Sequence, residues 1–311
     1  MIKLNFRIIF IVIVFFIGGN HICAQNQFFQ KIDSDLSSFE KKSDIFFLKD
    51  DYDILKQRIS FFYSQKKIEL AESQNLKRRL YASYVSKFLS RSFREFNGTV
   101  WNVDTLNFIR KEVTRVRSEG KSEQIFEDKS ESGKKMDLIN KIFKDYDKIN
   151  WFVASSKKFF HSSNYALTDT FPISKVEKIL SDRDGYLKSG KYPYTSKCAR
   201  LNDDLKSVTK ALFSAHVKYL NNKLAHLSEC YKETETDSTG VVIERYSSQP
   251  IYREQYYEVM KQQLRSLKQT TSKGEFLYKG CDVLKEYNRL LKKLDDQNGK
   301  AYEYYESKLG N

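Results

Sequence analysis

From Ile45 to Phe96 the chain contains neither glycine nor proline. The full 311 residues hold only 3 Pro and 12 Gly. A β-sandwich needs a turn roughly every 8–12 residues, and turns draw on these two residue types. A chain with so few breakers reverses direction seldom and is expected to be built from long helices. The apolar pattern agrees. Tyr52, Leu55, Ile59 and Phe62, then Leu76, Leu80, Tyr84 and Phe88, recur at spacings of three and four, which puts each set on one helical face. The polar stretch Glu69 to Asn75 is the expected break between them. Asn97-Gly98 reads as a left-handed C-terminal stop.

The same period runs along the rest of the chain. Gln27 to Lys42 carries Phe28, Phe29, Ile32, Leu36 and Phe39 on one face. Asp104 reads as an N-cap, with Val103 and Phe108 as a hydrophobic staple, for a helix to about Arg117. Residues 118–135 are polar, hold Gly120 and Gly133, and read as a loop. Met136, Ile139, Ile142, Tyr146, Ile149 and Val153 mark the next helix, and Ser174-Lys175-Val176-Glu177 matches a capping box. From about Ser196 to Lys232 the longest stripe keeps a heptad: Leu201, Leu205, Val208, Leu212, Ala215, Tyr219. It then slips by one to Leu220, Leu224, Leu227 and Tyr231. A sustained heptad suits a coiled coil, whereas a slip argues for packing within a globular bundle. Val241-Val242-Ile243 marks a small hairpin. Asn298-Gly299 is expected to separate a helix ending near Asp296 from a short terminal one. The expected fold is all-α: seven or eight helices, two of them long, in bundles of compact or elongated outline. The expected division is 25–165 and 166–311, or one continuous domain.

The N-terminus constrains location. Lys3 and Arg7 precede an unbroken apolar run, Ile8 to Ile17, and Gly18-Gly19 ends it before Asn20-His21-Ile22-Cys23-Ala24. Charge, then a short apolar run, then a small residue is the layout of a secretory signal peptide over 1–24, with cleavage expected between Ala24 and Gln25. A retained anchor would need ~20 apolar residues, about twice this run. Lipid attachment at Cys23 calls for small residues before it, and Ile22 is bulky. The expected location is extracytoplasmic, periplasmic or secreted, with no membrane span after cleavage.

The net charge is +14, from 54 Lys+Arg against 40 Asp+Glu. Such a balance draws anionic partners. Here the lysines are spread along every segment, and the densest cluster, Lys77-Arg78-Arg79, is three residues long. That distribution reads as solvated helix faces. An exported chain is not expected to meet nucleic acid. After the signal, Cys198, Cys230 and Cys281 remain. Cys198 and Cys230 stand near opposite ends of one helix, ~48 Å apart if it is straight, too far to bridge. The expected disulfide therefore joins Cys281 to Cys198 or to Cys230, the alternative being three buried thiols.

No reaction is named by any motif. G-x-S-x-G, a phosphate loop, G-x-G-x-x-G and H-E-x-x-H are all absent from the sequence. His216 and His226 are ten positions apart on one helix and cannot share a metal; His161 lies elsewhere. His226 with Glu229 (i, i+3) and His226 with Cys230 (i, i+4) are the nearest approaches to a metal pair and a thiol–base pair. Asp203-Asp204 and Asp295-Asp296 are adjacent and point apart on a helix. No catalytic residue, metal ligand or cofactor is assigned. Asn97-Gly98-Thr99 fits the N-glycosylation acceptor pattern. Tyr252, Tyr256, Tyr257, Tyr302, Tyr304 and Tyr305 crowd the C-terminal third and suit contact surfaces. The expectation is an exported, non-catalytic binding or assembly protein of the cell envelope, with a protein partner or self-association. Docking on anionic lipid or polysaccharide is the first alternative. An enzyme whose site is assembled across helices is the second.

Overall fold

A computed structural model of the chain describes residues 27–42, 48–159, 169–230, 232–236, 238–246 and 250–309. Among them are nine α-helices and one short hairpin, so the protein is an all-α multi-helix bundle. The chain divides into two compact units, Met1–Lys144 and Asp145–Asn311. The expected signal segment and the Ala24–Gln25 junction lie outside the described residues, as does His161.

Unit 1 contains α1 (residues 27–41), α2 (Leu48–Ser64), α3 (Leu70–Asn97), α4 (Val103–Ser122) and the start of α5 (Glu131–Lys157). Successive helices run antiparallel. Phe28 of α1 meets Phe62 of α2, with ring centroids 5.2 Å apart, while Lys42 at the other end pairs with Asp51 at 2.6 Å. Further on, Tyr81 donates to the Val116 carbonyl at 3.1 Å, and Arg117 of α4 reaches Asp137 of α5 at 2.7 Å. Ile32, Leu36, Phe39, Ile59, Leu76, Phe88 and Phe96 form the buried interior. Each such side chain contributes roughly 1.5–3 kcal/mol of burial free energy.

Several local expectations shift. The break between α2 and α3 falls at residues 65–69, and a Glu69–Glu72 pair starts α3, with the Glu69 N–H donating to Glu72 Oε2 at 2.9 Å. Gly98 ends α3 in an extended conformation (φ −72°), not a left-handed one. Asn102, not Asp104, caps α4. Its Oδ1 accepts from the Asp104 and Thr105 amides at 2.8 and 3.1 Å. Val103 and Phe108 are 44% and 37% exposed, and the buried residue at this entry is Trp101, packed on Phe96 at 5.3 Å. The staple partners were misplaced because the true cap lies two residues earlier.

Gly120 and Gly133 mark helix, not loop. Gly120 is buried near the end of α4, where a Cβ would lie 2.1 Å from Tyr81 Oη and 2.6 Å from Phe126 Cβ. Close approach, not flexibility, explains that glycine. Gly120→Ala is expected to destabilise the protein by a net ~1–2 kcal/mol, since overpacking costs about 1–3 and the helix gains back part of it. Urea unfolding at neutral pH checks this; a stabilised variant would contradict the packing.

Unit 2 holds the rest of α5, then α6 (Ile173–Leu187), α7 (Ala199–Cys230), strands β1 (Lys232–Thr236) and β2 (Val242–Tyr246), α8 (Pro250–Arg265) and α9 (Val283–Leu309). The hairpin at Val241-Val242-Ile243 forms, antiparallel, with Lys232 opposite Tyr246 and Thr236 opposite Val242. The capping box at Ser174 does not form, because α6 begins earlier, after Pro172. Nor does Asn298-Gly299 break α9. A mid-helix glycine costs about 1 kcal/mol. The complete burial of Leu290, Leu294 and Ala301 on α9 outweighs that cost, and Gln297 Nε2 also donates to the Leu224 carbonyl at 3.3 Å. Along α7 the slip has a structural meaning. After Leu212 the buried row passes through His216, Tyr219, Leu220, Lys223, Leu224 and Leu227.

Candidate functional site

The slip in α7 puts His216 in the interior of unit 2 at 0% exposure. Phe171 stacks on it, ring centroids 4.0 Å apart and 3° from parallel. Its Nδ1 lies 2.8 Å from the Tyr278 hydroxyl and its Nε2 lies 3.0 Å from Ser266 Oγ. On distances alone this is a serine–histidine–tyrosine line, and Ser266 borders a cleft of about 440 Å³ lined also by Phe171, Ile173, Tyr219 and Val259. Proton counting decides its chemistry. Ser266 has one hydroxyl hydrogen, and it goes to the Gln263 carbonyl at 2.5 Å, which can only accept. His216 Nε2–H therefore donates to Ser266, and Nδ1 accepts from Tyr278. The imidazole is neutral, with both nitrogens engaged. Burial pushes His216 down to about 3, far from the value near 7 that suits a general base. Burial also pushes the Tyr278 hydroxyl far above its usual range, so it stays a donor. The line is a closed hydrogen-bond chain tying α7 to α8 and to the segment before α9, not an activated nucleophile.

One turn after Tyr219, Lys223 is also fully buried. Its ammonium donates to the Asp169 carbonyl and sits 5.2 Å above the Tyr219 ring. Desolvation pulls it down to about 8, against the raising influence of Asp169. The Tyr219 hydroxyl donates to the same carbonyl at 2.7 Å, and burial raises it to about 12. These groups fasten the entry to α6.

Unit 1 carries a second polar network. Glu112, 3% exposed, accepts from Tyr84 at 2.6 Å and from Arg115 at 3.0 Å. Glu119, two turns on, accepts from Lys56 at 2.6 Å, from Arg115 at 2.8 Å and from Tyr52. Burial works against ionising Glu119. The hydrogen bonds from Lys56 and Tyr52, with the charges of Lys56 and Arg115, outweigh it and hold the carboxyl below its usual range. Two carboxylates on one helix face would invite an acid–base reading, but every oxygen here is held by a donor.

A cleft of different character lies at the α3–α4 turn. It measures about 400 Å³. Phe88, Ser92, Ile109, Phe108, Arg91, Asn102, Asp104 and Thr105 line it, the first three buried and Phe108 37% exposed. Ser92 is fully buried and turns its hydroxyl to the Phe88 carbonyl at 2.8 Å, so it presents carbon to the cleft. In the α3–α4 connection, Val100 is 81% exposed and Val103, at the start of α4, is 44% exposed.

The residues singled out from sequence fare unevenly. His226 is exposed on α7, while the side chains of Glu229 and Cys230 lie outside the described residues. Cys198 is a buried thiol and Cys281 a half-buried one, whose ionisation burial opposes. Tyr257 donates to Asp295 at 2.8 Å, and Tyr302 is 41% exposed. The side chains of Tyr252, Tyr304 and Tyr305 lie outside the described residues. Among the described residues no cluster of three or more His, Cys, Asp or Glu could hold a metal, and no helix is long and apolar enough to cross a membrane. Sequence reading missed the His216 chain because its partners are 50 and 62 residues away. Only the slipped stripe hinted that position 216 turns inward. No protein-family model, no curated protein and no solved structure matches this chain.

Proposed function

We propose that this protein is an exported, non-catalytic helical binding or assembly protein of the cell envelope, and that its α3–α4 cleft receives an apolar group of the partner. The supporting observation is that cleft. Phe88, Phe108 and Ile109 line it, and its volume of about 400 Å³ is within the usual ligand range of about 300–1,000 Å³. The polar constellations favour the same reading, since their donors and acceptors are consumed by one another. The apolar run Ile8–Ile17 ahead of Ala24 supports export.

The apolar dye N-phenyl-1-naphthylamine tests the cleft. It is expected to brighten on binding, and Phe108→Asp, which sets a charge in the apolar lining, is expected to weaken binding at least tenfold while leaving the melting temperature within a few degrees. Equal dye binding by the variant would remove the cleft as the binding site.

A further inference from the structure

Residues 266–282 join α8 to α9. They begin with a 3-10 turn, Ser266–Lys268. Beyond it the chain doubles back: Thr270 bridges to Phe276, and the Leu277 amide donates to the Gln269 carbonyl at 2.8 Å. Gly274 and Gly280 take left-handed conformations, φ 76° and 79°, and serve as pivots. Between them Leu277 and Tyr278 turn inward, 6% and 0% exposed, and the Tyr278 ring packs on Phe213 at 5.4 Å.

One imidazole holds this connector at both ends. His216 Nε2–H donates to Ser266 at its start, at 3.0 Å, and His216 Nδ1 accepts from Tyr278 near its finish, at 2.8 Å. The Ser266 bond fixes the tautomer, so Nδ1 is the one place a proton can add. A proton there turns the acceptor into a donor aimed at the Tyr278 hydroxyl. Tyr278 must then accept, and its own hydrogen is left without a partner in the interior. The new charge meets no counter-ion either. The acids on the surrounding segments are Asp169 ahead of α6 and Glu275 and Asp282 of the connector, and none bonds the ring. Asp169 offers its carbonyl to Tyr219 and Lys223. Glu275 pairs with Lys279 at 3.0 Å. Lys223 stands on the same buried row of α7 and adds a like charge. Arg265 is exposed, and Lys268 lies over the Tyr287 ring of α9 at 4.2 Å. Burial alone sets the basicity of His216.

We propose that residues 269–282 form an acid-released strap, which swings away on Gly274 and Gly280 when His216 takes a proton and uncovers Leu277 and Tyr278 while α7 stays folded. This device is separate from the α3–α4 cleft and does not rest on it. The test is amide hydrogen exchange of the full chain at pH 7 and pH 5, expressed as protection relative to a free peptide at each pH. The reporters are the amides of Leu277 and Cys281, which donate to Gln269 and Tyr278 carbonyls inside the strap. They are expected to be less protected than the α7 amides at both pH values. Their protection is expected to fall about 25-fold from pH 7 to pH 5, because opening returns His216 from about 3 to 6.5. In His216→Gln the fall is expected to vanish. Strap protection that ignores pH in the wild-type protein would overturn the proposal, as would an equal fall in His216→Gln. So would strap amides as protected as those of α7, since acid would then act only by unfolding the whole bundle. The first and last of these readings need only the wild-type protein.

Discussion

Replacing Glu112 by alanine is expected to destabilise the protein by about 2 kcal/mol, because the buried Tyr84 hydroxyl loses its acceptor, while Arg115 keeps Glu119 at 2.8 Å. Arg115 spans Glu112 and Glu119 and lies 5.5 and 5.8 Å from the Tyr52 and Tyr84 rings, which stack on each other at 4.6 Å. Without Glu112 the Tyr84 hydroxyl loses its 2.6 Å acceptor inside the bundle. Tyr84→Phe, which removes only the hydroxyl, should cost less, about 1 kcal/mol. The double variant should cost clearly less than the two single losses added, since the residues touch. Denaturant unfolding of the three variants checks this. Strict additivity would show that the network does not act as one unit.

The second large effect depends on pH. His216 is neutral in the fold down to about 3, against 6.5 when unfolded. Below pH 6.5 the unfolded chain takes up a proton that the folded chain refuses, so stability is complete above that pH and declines as pH falls toward 3. Between pH 7 and pH 5 the loss is about 2 kcal/mol from this one residue. Glu119 is also held below its usual range, so its contribution is present above about pH 4.5 and is lost below it. Between pH 6.5 and 4.5 the His216 loss acts without that of Glu119; below 4.5 the two overlap. His216→Gln should be less stable at pH 7 but should flatten the decline between pH 7 and pH 5, which the slope of melting temperature against pH reads directly. An unchanged slope would mean that His216 is solvated or already charged.

What the sequence disclosed follows from what is local. Helix identity depends on periodicity and on missing breakers, and both are visible in one segment at a time, so the all-α class, α7 and the hairpin were legible. Helix ends were less so. Asn102 and Asp104 are both competent caps, and two residues decide which amides they reach. Gly120 and Gly299 look alike on paper. Only the fold shows that one sits against Tyr81 and Phe126, while a Cβ on the other would meet nothing. The His216 chain and the Glu112–Arg115–Glu119 network join residues far apart in the sequence, and the partners of such pairings cannot be read from periodicity. The Val103–Phe108 staple depends on a cap at Asp104; with Asn102 as the cap, Val103 is exposed and Phe108 lines the α3–α4 cleft.

The account stands or falls on whether that cleft meets a partner outside the cytoplasm. The direct measurement is site-specific photocrosslinking in living cells, with p-benzoylphenylalanine in place of Phe108 and, as a control, at Trp151, which is 72% exposed in unit 2. One discrete adduct is expected from position 108, recovered in the envelope fraction and absent from position 151. An uncrosslinked protein at position 108, or an adduct found only in the cytosol, would contradict it.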